Sequence, residues 1–163
     1  MSDQEMKIKA IGKVKSAYDK HDGTPIQANY ETSNEASLLI DPEYREGLEG
    51  LAGFDRIYVI CWLDRSKPYK LSVIPYLDDE AHGLFTTRAP SRPNPIGLSL
   101  VKILSVDVKE GIIRIEGIDI LDNTPILDIK PYIPDFDVFP DSKSGWYEKA
   151  KGKRLKADNR FSK

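Results

Sequence analysis

The chain has 163 residues, of which 40% are hydrophobic and 31% charged, and a formal net charge of −2. That is the size and composition of one soluble globular domain with a core of its own. The near-neutral balance excludes a general polyanion binder, no apolar run approaches a membrane span, and one cysteine, Cys61, excludes an internal disulfide and any multi-cysteine metal site. Met1-Ser2-Asp3-Gln4-Glu5 lacks the basic and apolar regions of a signal peptide, so a cytoplasmic location is expected.

From the N-terminus, Ile8, Ala10, Gly12 and Val14 alternate with lysines, the period of a half-buried strand. Residues 19–37 are polar, with Asp22-Gly23 and Pro25 as turn signals, and read as an extended loop before a short strand at 37–40. Asp41-Pro42-Glu43 predicts a helix start, with Asp41 as cap and Pro42 in the first turn, ended by Gly50 and Gly53. Residues 56–63 are almost all apolar and predict a central strand buried on both faces, with Cys61 as a buried core thiol. Further strands are expected at 71–76, 83–87 and, as a long one, 97–108. Apolar residues hold odd positions at Ile113 and Ile115 and even ones at Ile118 and Ile120, a phase flip that predicts a bulge at Gly117 re-aiming Asp119 and Asp122. Pro125, Pro131 and Pro134 break regularity, and 146–151 predicts a short closing helix.

There is no βαβα alternation and no Gly-x-Gly-x-x-Gly, which disfavours a doubly wound sheet. Many strands with few helices predict a mainly β fold: a small, mostly antiparallel β-barrel with one or two short helices. The expected division is a barrel over 1–140 and a short C-terminal helix and tail over 141–163. The tail is basic, with Lys149, Lys151, Lys153, Arg154, Lys156, Arg160 and Lys163 against Asp158. It reads as a solvated end, with phosphate contact as the alternative. His21 and His82 are isolated and carry no metal-ligand spacing.

Two stretches carry chemistry. Residues 83–99, Gly-Leu-Phe-Thr-Thr-Arg-Ala-Pro-Ser-Arg-Pro-Asn-Pro-Ile-Gly-Leu-Ser, set Arg88 and Arg92 among three prolines. Proline fixes φ and extends the residue before it, so this loop is stiff and costs little entropy to order around a ligand. Taken alone, it is equally a proline-rich connector with solvated arginines. Residues 119–132, Asp-Ile-Leu-Asp-Asn-Thr-Pro-Ile-Leu-Asp-Ile-Lys-Pro-Tyr, bring three carboxylates close in sequence. On its own Asp122-Asn123-Thr124-Pro125 reads as a turn, and Asp128 and Lys130 as a surface ion pair.

Together the two stretches resemble, in order, the signatures of the TsaA-like (TrmO) family, and the resemblance runs from Ile11-Gly12 to Tyr132. It implies a small β-barrel, usually dimeric, that binds S-adenosylmethionine outside the common methyltransferase fold. It implies methyl transfer to N6 of an adenosine immediately 3′ of the anticodon, already threonylcarbamoylated, in tRNAs that read threonine codons. The cofactor presents a carboxylate, an ammonium, a sulfonium, a ribose diol and an adenine. Arg88 or Arg92 suits the carboxylate, Asp119 or Asp122 the ammonium or diol, and Phe85 and Leu98 the adenine. Leu63 and Asp64, Ile118, and the loop residues Gln27 and Ala28 complete the expected cofactor set. The acceptor N6 lone pair is delocalised into ring and carbonyl, so the protein must align the reactants and accept the proton. Asp122, Asp128 and Asn94 are the candidates for that, with no metal required. Tyr69, Tyr76, Tyr132, Phe136 and Trp146 are candidates for stacking on the anticodon loop, or else core or dimer contacts.

The sequence departs from the family pattern at Lys15, where Arg is usual, at Ala17, where Pro is usual, and at Asn123, where Gly is frequent. The additional C-terminal domain of many bacterial members is expected to be lacking. Two other readings share the residues: a non-catalytic S-adenosylmethionine-binding module, and an RNA-binding barrel without cofactor. Within the enzyme class, a different methyl acceptor is the alternative.

Overall fold

The computed structural model describes residues 6–20 and 34–150. Gln27, Ala28, His21 and most of the basic tail lie outside the described residues. Six strands close a barrel in the order β1 (Gly12–Lys15), β2 (Glu35–Ile40), β7 (Ile112–Glu116), β6 (Ile96–Asp107), β3 (Arg56–Trp62), β8 (Pro125–Pro131), and β8 returns to β1. Every pairing is antiparallel. A separate two-residue ladder joins β4 (Ser72–Val73) to β5 (His82–Gly83). The fold is therefore mainly β, a closed antiparallel barrel with few short helices.

Closure satisfies every strand's ladder and leaves one interior. Val14, Leu38, Ile57, Val59, Cys61, Val101, Ile113, Ile115 and Ile126 fill it at 0% exposure. Each large aliphatic side chain buried there contributes roughly 1.5–3 kcal/mol relative to exposure. The strand expected to be buried on both faces is buried on one. In β3, Ile57, Val59 and Cys61 point inward, while Arg56, Tyr58, Ile60 and Trp62 are half-buried on the outer wall. A single-layer barrel has no helix layer to cover that wall.

Several expected elements are shorter or differently wound. The first strand is Gly12–Lys15 rather than 8–15. The segment after Asp41 is a 3-10 helix, Pro42–Leu48, and Asp41 makes no side-chain cap; its backbone carbonyl takes the Tyr44 N–H instead (3.0 Å). Gly50, left-handed at φ 78°, then turns the chain into a second 3-10 turn, Leu51–Gly53. The strand expected at 83–87 is a 3-10 turn, Leu84–Thr86, after the short β5. The Thr86 and Thr87 hydroxyls donate back to the Gly83 and Leu84 carbonyls (2.8 Å each), which favours a turn over a ladder. The closing segment is a 3-10 turn, Gly145–Lys149. One four-residue α-helix, α1 (Pro134–Asp137), follows β8.

At Gly117 the expected bulge is a left-handed turn that ends β7. Its φ is 78°, and its N–H donates to the Asn34 carbonyl (3.0 Å). The phase flip is real: Ile113 and Ile115 are buried before it, Ile118 and Ile120 after it. A bulge instead interrupts the β3–β8 ladder, where Ile60 faces Asp128 but Cys61 faces Ile126.

Candidate functional site

One mouth of the barrel carries an open cleft lined by Leu63, Asp64, Arg65, Ser66, Asp119, Ile120, Leu121 and Thr124. Two chain segments build it. The exit loop of β3 supplies 63–66, and the 117–124 connection between β7 and β8 supplies the rest. The left-handed Gly117 delivers the second segment to the mouth, burying Ile118 and Ile120 and leaving Asp119 half-buried between them.

Asp119 accepts a 2.5 Å hydrogen bond from the Ser99 hydroxyl of β6. Ser99 alternates with the outward Leu98 along β6 and is buried at 5% exposure. The last residue of the first signature thus meets the first residue of the second. Cys61 lies close by: burial pushes its thiol up to about 12, with the Asp119 carboxylate adding to the effect. It is a core thiol, not a nucleophile.

Asp122 sits in a tight turn. Its carboxylate accepts the Ser16 N–H (2.9 Å), the Asn123 side-chain amide (2.6 Å) and, at 3.4 Å, the Lys15 ammonium. The Ser16 N–H, followed by Lys15, holds the carboxyl below its ordinary range against a smaller opposing effect of burial. Asn123 follows at φ 61°, the left-handed region that Asn tolerates better than most residues. The turn expected there therefore forms without the glycine frequent in the family. Lys15 supplies its charge beside Asp122 although Arg is the usual residue.

The first signature runs as a braced loop along one flank of this mouth. Ser66 Oγ donates to the Pro90 carbonyl (3.1 Å), and the Leu63 N–H to the Pro95 carbonyl (2.7 Å). Arg92 turns inward on its own loop, donating to the Thr87 and Ala89 carbonyls (3.0 and 3.3 Å) with its guanidinium 5.8 Å from the Phe85 ring. Asn94 is exposed, its carbonyl taking the Ile96 N–H (2.7 Å). Gly97 is required by packing: a Cβ would stand 2.6 Å from Cys61 Sγ.

Sequence-predicted residues therefore fall into two groups. Leu63, Asp64, Asp119 and Asp122 converge at the cleft or on its rim, with Ile118 beneath. Phe85, Arg88 and Leu98 do not face it. Leu98 is 53% exposed on the outer wall opposite Ile60, and Phe85 is 74% exposed. Arg88 lies close enough to Tyr58 to act on its hydroxyl, which burial nonetheless pushes up. Asp128 is also on the outer wall, paired with Lys130 at 2.9 Å. Of the candidate stacking residues, Tyr132 packs edge-on to Tyr58 (6.0 Å) and Trp146 stacks on His82 (4.5 Å), while Tyr69 and Phe136 are exposed and Tyr76 is half-buried. Ser99, Arg65, Ser16 and Thr124 belong to the site and were not legible as such. Ser99 and Thr124, each inside one of the two signatures, had a signal in the sequence.

Among the described residues no group of three or more His, Cys, Asp or Glu could hold a metal ion, and no helix is long and apolar enough to cross a membrane. The cleft offers two carboxylates, two hydroxyls, the Arg65 guanidinium and apolar walls. That set suits an ammonium and a sugar diol beside a flat apolar group.

Fold and cleft define a class: closed antiparallel barrels with a carboxylate-lined mouth, distinct from the doubly wound cofactor-binding sheets. Residues 13–138 match the family model described as the tRNA-methyltransferase O N-terminal domain, and the chain belongs to this TrmO (TsaA-like) family. A probable S-adenosyl-L-methionine-binding protein of Pyrococcus abyssi is 45% identical over 153 residues, 93% of this chain and 82% of the relative. A mouse protein named tRNA (adenine(37)-N6)-methyltransferase is 37% identical over 136 residues, 78% of this chain but 31% of its own length. A crystal structure of TrmO superposes with a TM-score of 0.76 at 30% identity, covering 90% of this chain and 64% of that one.

Proposed function

We propose that this protein is an S-adenosylmethionine-dependent tRNA methyltransferase that methylates N6 of threonylcarbamoyladenosine next to the anticodon of threonine tRNA. The observation that carries the reading is the Ser99–Asp119 hydrogen bond, by which the first signature meets the cleft-lining residue that opens the second. The mouse relative's name points to the same nucleoside position.

Asp119 and Asp64 would hold the cofactor's ammonium and ribose, against Leu63 in the cleft wall. The cofactor supplies the methyl group on a sulfonium. The acceptor nitrogen is a poor nucleophile, so most of the barrier is lowered by alignment and by a group that takes the N–H. Asp122 is that group in this reading. It stays ionised because Ser16 and Lys15 stabilise its charge, which makes it a hydrogen-bond acceptor at neutral pH. Asn94 and Asp128 do not line the cleft and serve, in this reading, the RNA side or the outer wall.

We further infer a cytoplasmic homodimer, with residues 1–140 as the barrel and 141–163 as an appended segment whose basic tail adds phosphate contacts. The outer wall supports self-association. Tyr58 and Leu100, Ile60 and Leu98, and Trp62 and Ile96 are three consecutive register pairs there, all apolar or aromatic. Phe85, Arg88 and Leu98 then belong to the interface.

The test is incubation with S-adenosylmethionine and threonine tRNA bearing the threonylcarbamoyl group, followed by digestion and mass spectrometry. A gain of one methyl on that nucleoside, lost in Asp122→Asn, is the expected result. A second reading, a non-catalytic S-adenosylmethionine-binding module, is favoured by the name of the Pyrococcus abyssi relative. Cofactor binding by calorimetry with no methyl gain on any tRNA nucleoside would establish it instead.

A further inference from the structure

Arg65 leaves the exit loop of β3 and reaches across the cleft to the turn that carries Asp122. Its Nη2 donates to two acceptors there, the Asp122 carbonyl and the Thr124 hydroxyl, each at 2.8 Å. Its Nε lies 3.4 Å from Asp64 Oδ1, on the other wall of the same cleft. We propose that Arg65 is a positioning residue that fixes the Asp122 turn, and through it the carboxylate, against the cofactor-binding wall.

The remaining supports of the turn come from the β1 side. Asp122 N–H donates to the Tyr18 carbonyl (2.7 Å), Asn123 N–H to the Val14 carbonyl (2.8 Å), and Ser16 N–H to the Asp122 carboxylate (2.9 Å). All of these hold one edge. Among the described residues Arg65 is the brace from the β3 side, so the turn is gripped from both sides. Thr124 is 2% exposed, and a hydroxyl that deep is costly to leave without a donor. A guanidinium suits the task because its rigid fork reaches several acceptors at once, which a lysine ammonium on a flexible stem does not.

The proposal rests on the reading of Asp122 above, so its test has an arm that needs no methyl transfer. In Arg65→Ala, amide hydrogen exchange at residues 122–124 rises at least tenfold while the β3 and β6 amides keep their protection. Arg65→Lys shows the same change to a smaller degree, and serves if Arg65→Ala fails to fold. Methyl transfer by Arg65→Ala falls in kcat, by about 10- to 100-fold as a displaced reacting group would give, with little change in KM. Millimolar guanidinium restores part of it, which a merely unfolded variant would not allow. The double variant Arg65→Ala/Thr124→Val exchanges no faster at 122–124 than Arg65→Ala alone, because both remove the same link. Unchanged exchange at 122–124 in both single variants at Arg65 would overturn the proposal. So would a kcat loss that follows the melting temperature and resists guanidinium. A wild-type protein that methylates nothing would sink the proposed function instead, and the exchange arm would still decide the role of Arg65 in the turn.

Discussion

Asp122 couples the site's chemistry to the stability of the barrel. Folding lowers its pKa, through the Ser16 N–H and then Lys15, so its contribution to stability is full above an unfolded value of about 3.9. That contribution disappears as pH falls through the lower folded value. Asp122→Asn is therefore expected to lower the urea midpoint at pH 7 but not at a pH below the folded value, where the two proteins converge. Urea titrations across pH 2–7 check this. The same substitution is expected to reduce methyl transfer by about 100-fold or more, the scale of a lost proton acceptor. Cys61 behaves in the opposite way. With its thiol pushed up to about 12 and at 0% exposure, it stays unreactive toward a thiol-specific disulfide reagent at pH 8 and reacts fully in urea. Reaction of the native protein at the unfolded rate would show that the β3–β6 wall opens.

At the scale of elements, β3 and β6 approach closely at Gly97. A Cβ at Gly97 would meet Cys61 Sγ at 2.6 Å and Leu63 Cδ2 at 3.0 Å. Gly97→Ala is expected to cost about 1–3 kcal/mol, the usual price of overpacking. Adding Cys61→Ala removes the obstructing sulfur, so the double variant should be more stable than the sum of the singles predicts; additive losses by chemical denaturation would mean the strain lies in the backbone. These contacts also explain what the sequence could and could not disclose. The strands β3 and β6 are legible to within about a residue because each is rich in apolar, β-prone residues over a long run. The helix expected after Asp41 does begin at Pro42, but it winds as a 3-10 helix without an Asp41 side-chain cap, the Tyr44 N–H bonding the Asp41 carbonyl at i+3. The phase flip at Gly117 was visible, but a turn and a bulge leave the same trace in the pattern. The site was half legible. Asp119 and Asp122 stand inside a long motif, whereas Arg65 and Ser16 join them only through the closure that brings β1, β3 and β8 side by side. No local spacing encodes a link between residues 65 and 122.

For the whole molecule, the question is what a closed barrel does with an apolar outer wall. The six side chains of the Tyr58–Leu100, Ile60–Leu98 and Trp62–Ile96 pairs carry no charge, and Leu98 and Ile96 are 53% and 43% exposed. In the proposed dimer this apolar area is the association surface. An RNA backbone would be met by lysines and arginines rather than by this wall. A two-fold dimer needs a patch that is complementary to itself, and these three apolar pairs, bordered by the Asp128–Lys130 ion pair, can meet that condition. Leu98→Asp places a carboxylate at the centre of the patch without touching the core, because Leu98 points away from the Val59 and Val101 interior. Stability of the isolated barrel should change by no more than about 0.5 kcal/mol, as for other surface substitutions. Sedimentation velocity at tens of micromolar should show a dimer for the wild type and a monomer for Leu98→Asp, with identical far-ultraviolet circular dichroism. A wild-type monomer, or a variant that still dimerises, would move the interface off this wall. A monomeric variant that binds S-adenosylmethionine as the wild type does would then show that the cleft at the barrel mouth is complete within one chain. One that has lost affinity would mean that Phe85, Arg88 or Leu98 reaches the cofactor from the neighbouring copy.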